Sequence, residues 1–241
     1  MSAERAPPRP APRSGWGRLA HRLGQTLVWL LLSLCLAILL EGLGLWCGWF
    51  DVTHSQRRLD QELQYLAVGV TSRWAPPARL AARWGQALYH GLFEVTHLVD
   101  ALRWLDAPPP AGAESTPGVS LRAWLHTGLQ PLKTYGRVAM TTVQIVGVRL
   151  AVLALSAPVF LLVGVTALAD GLVRRDRRRF SGGYESALLH HRARRCLWPL
   201  PLATAVLYLI LPVQVPPAAV ILPGAAVFAV ALAAATFKKY L

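Results

Sequence analysis

Four long apolar runs stand out along the chain: Thr26–Phe50, Val143–Ala169, Leu197–Val213 and Ala218–Phe237. About 20 apolar residues in helical form cross the ~30 Å hydrocarbon layer of a bilayer, so each run reads as a transmembrane helix. The first follows a basic stretch, as the core of a signal peptide does. It continues, however, to Trp46 and Trp49 instead of ending at a small-residue cleavage site. An uncleaved signal-anchor with an interfacial aromatic belt is expected there. Between the first and second runs the pattern changes to amphipathic. Leu59, Leu63, Leu66 and Val70 recur at three- and four-residue steps, as do Leu80, Trp84, Leu88, Leu92, Val95, Val99 and Leu102. Pro76–Pro77 separates these two helices. Asp106–Gly118 reads as a loop, and a third helix starting near Ser120 is expected to run on into the membrane.

The pattern divides the chain into a tail (1–25), a first span (26–50), a helical region (51–142), a second span (143–169), a basic loop (170–196), a third span (197–213), a turn (214–217), a fourth span (218–237) and an end segment (238–241). The expected fold is an all-α integral membrane protein with four transmembrane helices. Basic residues orient it. Segments 1–25, 170–196 and 238–241 hold fifteen Lys and Arg in 56 residues, against nine in the 96 residues of 51–142 and 214–217. The positive-inside rule then puts both termini in the cytoplasm. No internal repeat is present.

Composition agrees. The 241 residues are 54% hydrophobic and only 15% charged, with a mean hydropathy of +0.39. Soluble domains carry roughly 25% charged residues, and disordered chains lack the apolar surface present here. The net charge of +13 raises the question of nucleic acid. Of the 25 basic residues, however, 22 are Arg, and no aromatic pattern accompanies them to suggest a strand-binding groove. Direct nucleic-acid binding is disfavoured. Cys35, Cys47 and Cys196 form no CxxC or Cys/His spacing, so neither a disulfide framework nor a metal site is expected.

Few residues suggest chemistry. Glu41 and Arg149 are ionisable groups inside expected spans, where charges are costly and usually paired. They read as an intramembrane pair, structural rather than catalytic; the rival is a small transporter. Gly44 and Gly48, with Ala225, Ala229 and Ala233, have spacing suited to close helix packing within the chain or between copies in a homo-oligomer. The Arg174–Arg179 cluster reads as a topology anchor that also meets anionic lipid or a protein partner. His190 and His191 are adjacent and flanked by arginines, which opposes metal binding; their use in an interfacial membrane enzyme is a second rival. No nucleophile elbow, phosphate loop or zinc-protease motif occurs, so no enzyme and no cofactor are expected.

The stretch from Ala151 to Arg195 resembles the integrating conjugative element membrane proteins. The specific residues are Asp170, Gly171, Arg174, Arg175, Asp176, Arg178 and Arg179, followed by Glu185, His190 and His191. The resemblance implies a bacterial inner-membrane protein with a periplasmic helical subdomain at 51–142. It implies an accessory role in conjugation near a type IV secretion apparatus, with a coupling ATPase or secretion-channel subunits as partners. These ten residues then form a docking surface. The family brings no catalytic residues.

Overall fold

A computed structural model describes residues 15–69, 77–106, 128, 130–181, 192–193 and 195–235. All the regular structure among them is helical. Helix α1 spans Gly15–Trp46, α2 His54–Gly69, α3 Pro77–Tyr89 and α4 Leu98–Asp106. Helix α5 runs unbroken over Gln130–Ser181, α6 covers Pro199–Ile210 and α7 Pro217–Ala235.

Among the described residues three helices, α1, α5 and α7, are long and apolar enough to cross a membrane, not four. The expected third span shrinks to the 12 residues of α6, about 18 Å of helix. Proline sets both of its ends. Pro199 and Pro201 occupy its first turn, and Pro212 stands two residues past its last, Ile210. The chain then runs irregularly through Leu211–Pro216 to α7.

Other boundaries also move. Helix α1 starts eleven residues before the expected span, at Gly15, and so takes in the second part of the expected tail. It closes at Trp46 through Trp49 and Phe50 N–H bonds to the Gly44 carbonyl, with Gly48 left-handed at φ +73°. The helix expected to run from Leu80 through Leu102 is broken. A π-turn over His90–Glu94 and a left-handed His97 at φ 56° redirect it into α4. The start expected near Ser120 lies outside the described residues. From Gln130 onward, α5 does continue without a break through the expected boundary at 142–143.

Helix α5 is the axis of the bundle. Between Thr142 and Val152 it is covered on most sides by α1, α2, α3 and α6. Val148, Ala151 and Val152 pack with Leu66, Ala81, Tyr208 and Ile221; Val146 packs with Ala37 and Leu209. The α3 crossing is close because two glycines meet there: a Cβ on Gly147 would lie 2.6 Å from the Gly85 Cα. Farther along, α5 and α7 turn apolar side chains outward, among them Leu161, Leu162, Val165 and Val230. That surface is unfavourable in water and satisfied in hydrocarbon.

Both ends of the described chain lie at one end of the bundle. The Arg22 guanidinium near the start of α1 sits over the Trp198 ring, 5.1 Å from its centroid. Asp170 and Arg174 of α5 share a groove with Ala233 and Ala234 of α7. Helix α6 leads from this end back toward the opposite one, where its last carbonyls meet α5 and α2.

Candidate functional site

The short helix α6 poses a problem that two arginines solve. The Tyr208 carbonyl would ordinarily accept the N–H of residue 212, but that residue is proline. Leu211 leaves helical geometry at ψ 116°, so the following carbonyls lack helical partners too. Arg149, on α5, fills the gap. Its Nη1 donates to the carbonyls of Tyr208 (2.8 Å) and Leu211 (2.7 Å), and its Nη2 donates to that of Val213 (3.0 Å). Arg58, on α2, donates from Nη2 to the same Leu211 carbonyl at 3.1 Å. Cations at a helix C-terminus also suit the negative end of its dipole.

Each guanidinium is balanced by a carboxylate. Arg149 donates from Nε (2.9 Å) and Nη2 (2.6 Å) to Glu62 Oε1. Arg58 Nη1 donates to Glu41 Oε2 at 2.8 Å. The other Glu41 oxygen is 2.8 Å from His54 Nδ1, whose ring stacks on Phe50. The four charged residues are nearly inaccessible: Arg149 is 1% exposed, Glu41 2%, Arg58 5% and Glu62 7%. Burial, and then the neighbouring charge of Arg149, hold the Arg58 guanidinium below its ordinary pKa, while Glu41 and Glu62 oppose that shift. The cluster joins α1, α2, α5 and the end of α6 with no net charge when His54 is neutral.

Three buried polar atoms on the same face of α2, Ser55 Oγ, Arg58 Nε and Glu62 Oε2, have no partner among the described residues. A cavity of about 310 Å³ borders the cluster, lined by Glu62, Tyr65, Tyr208 and Gln214 among apolar side chains. The described residues contain no group of three His, Cys, Asp or Glu arranged to hold a metal ion. The arrangement fixes four elements together; both carboxylates are engaged by guanidiniums.

A family model described as IncC plasmid conjugative DNA transfer protein DtrJ-like matches residues 49–238. The chain belongs to the DtrJ-like family. The expected association with conjugation therefore holds. No curated protein and no solved structure matches the chain. The DtrJ-like match takes in α2 to α7, and with them Arg58, Glu62, Arg149 and the Leu211 carbonyl. Glu41, on α1, precedes it.

Within this DtrJ-like chain, Glu41 and Arg149 enter one cluster but do not bond to each other. The expected pair is replaced by Glu41–Arg58 and Glu62–Arg149, because α2 inserts a charge of each sign between α1 and α5. Asp170 and Arg174 form an exposed i,i+4 pair at 2.8 Å on α5. Gly171 is buried and Asp176 exposed. Arg175, Arg178 and Arg179 lie on the last turns of the same helix, while Glu185, His190 and His191 lie outside the described residues. Sequence reasoning missed His54, Arg58 and Glu62. The signal was present: Ser55, Arg58, Glu62 and Leu66 follow the three- and four-residue steps of one helix face, and all four are buried.

Proposed function

We propose that this DtrJ-like protein is an accessory, non-catalytic inner-membrane component of a conjugative DNA-transfer apparatus. It is multi-pass, with both termini in the cytoplasm, and 51–142 faces the periplasm. Its arginine-rich end, Asp170–Arg179 with Glu185, His190 and His191, engages a coupling ATPase or a secretion-channel subunit and adjoining anionic lipid. Family membership supports the transfer role. The observation that carries the rest is the separation of charge. The exposed Arg22, Arg174, Arg192 and Arg195 belong to one end of the bundle, where basic residues mark a cytoplasmic face. The opposite end carries exposed charges of both signs, among them Asp51, Arg57 and Asp60, over a buried cluster that is mutually neutralised.

Bracing is favoured over transport by Glu41 and Arg149, because the Arg149 guanidinium is committed to Glu62 and three backbone carbonyls. The test is affinity purification of the tagged full chain from membranes of its host, followed by mass spectrometry. Recovery of a coupling ATPase or channel subunits, lost when Arg174, Arg175, Arg178 and Arg179 are changed to Gln, is expected. A stoichiometric sample containing only this chain would overturn the proposal.

A further inference from the structure

A second cavity, distinct from the one beside Glu62, opens at the basic end of the bundle. It has a volume of about 540 Å³, and all four packed helices α1, α5, α6 and α7 contribute walls. Leu30, Leu153, Leu202 and Phe228 make it apolar, with Trp198 at its edge. The hydroxyl of Thr26, which also lines it, already donates to the Arg22 carbonyl at 2.9 Å. The walls therefore offer little to the backbone of a peptide, whose N–H and C=O groups need partners when buried. A hydrocarbon chain needs none.

The edge differs from the walls. Arg22 is exposed, its guanidinium lying over the Trp198 ring. Arg192 and Arg195 are exposed just before α6, and Arg195 is two residues from Leu197, another lining residue. Leu23 and Leu27, beside Arg22 on α1, are exposed and apolar. An apolar crevice between helices with a cationic edge is complementary to one class of molecule, an anionic phospholipid. We propose that this crevice holds one acyl chain of such a lipid, with its phosphate between Arg22 and Arg195. The site rests on the membrane reading given above, but it involves none of the residues assigned there to partner docking. It makes bound lipid part of the packing between α1 and α6.

The test is native mass spectrometry of the full chain in detergent, titrated with phosphatidylglycerol and, separately, with phosphatidylcholine. One phosphatidylglycerol per chain is expected to bind well above phosphatidylcholine. A basic residue near an anionic lipid contributes about 1 kcal/mol, so Arg22→Gln weakens binding about fivefold and Arg22→Gln with Arg195→Gln about thirtyfold. Both side chains are exposed, so the fold is unaffected. Ala205→Phe, which fills the crevice, removes binding of either lipid. Equal affinity for the two lipids, binding unchanged in the double variant, or a lipid-free dimer occupying this face would overturn the proposal. Extraction of the wild-type chain from membranes by alkaline carbonate would instead overturn the membrane reading; an integral chain with no headgroup preference overturns only the lipid site.

Discussion

Replacing Arg149 by Leu tests the bracing role directly. The side chain is 1% exposed and makes five hydrogen bonds, two to Glu62 Oε1 and three to the carbonyls of Tyr208, Leu211 and Val213. Its loss leaves the Glu62 carboxylate buried and uncompensated, a change that costs about 3–5 kcal/mol. The Leu211 carbonyl retains Arg58, but those of Tyr208 and Val213 lose the arginine as donor, at about 1 kcal/mol or more each. The sum, about 5–7 kcal/mol, is comparable with the whole stability of many domains. Adding Glu62→Leu removes the stranded charge and leaves only the carbonyl cost. The double variant is therefore expected to be more stable than Arg149→Leu alone by about 3 kcal/mol, roughly 6–12 °C in melting temperature for a chain of this size. Thermal unfolding in one detergent, followed by monodisperse fraction on size exclusion, measures both. A single variant within 1 kcal/mol of wild type, or a double variant no more stable than the single, would refute the reasoning.

Gly147→Ala places a Cβ 2.6 Å from the Gly85 Cα and 2.8 Å from the Trp84 carbonyl, so α3 must lift from α5; a loss of about 1–3 kcal/mol is expected. In the same unfolding assay Gly24→Ala, with nothing within 4 Å, should be neutral or slightly stabilising. The native cysteines report orientation: Cys47, beyond the end of α1, should react with an impermeant maleimide in spheroplasts, and Cys196, before α6, only after permeabilisation. The reverse pattern would invert the proposed topology. Bonds from the Thr53 hydroxyl and the Val52 N–H, and then the nearby Arg57, hold the Asp51 carboxyl below its ordinary pKa. Its contribution is thus present above the unfolded value of about 4 and lost as pH falls through the lower folded one. The protection factors of amides at the start of α2, with the intrinsic pH dependence of exchange divided out, should fall in that acid window and stay level there in Asp51→Asn.

The helices with a single strong pattern were legible from the sequence. Continuous apolar runs gave α1, α5 and α7, and Pro77 marked the start of α3. What the pattern concealed was tertiary. Leu197–Val213 has the composition of a span, yet Pro199, Pro201 and Pro212 leave only 12 residues in helical form. The break at His90–His97 follows a π-turn that apolar periodicity does not register. The charged site was half legible. Glu41 and Arg149 stand out because their neighbours are apolar, whereas Arg58 and Glu62 lie in a segment of mixed charge and do not. Their burial depends on α2 packing against α5, 87 residues away for the Glu62–Arg149 pair, and nothing local encodes that distance.

The short helix and the buried charges are one structural solution. A helix of about 18 Å does not satisfy its own backbone across a 30 Å layer, and unpaired carbonyls at depth are tolerated only where protein covers them. A guanidinium is suited to this, because its five N–H groups serve several carbonyls from one side chain. Arginine at that depth in turn requires a counter-charge, which α1 and α5 do not both supply: Glu41 meets Arg58, and only α2 brings Glu62 to Arg149. Helix α2, which is not itself long and apolar enough to cross a membrane, is therefore needed to complete the charge balance of the bundle. It follows that a chain lacking α2 retains three apolar helices but leaves Arg149 without Glu62 and the Leu211 carbonyl without Arg58, so the seat of α6 is weakened by loss of a segment that never touches the opposite, basic end.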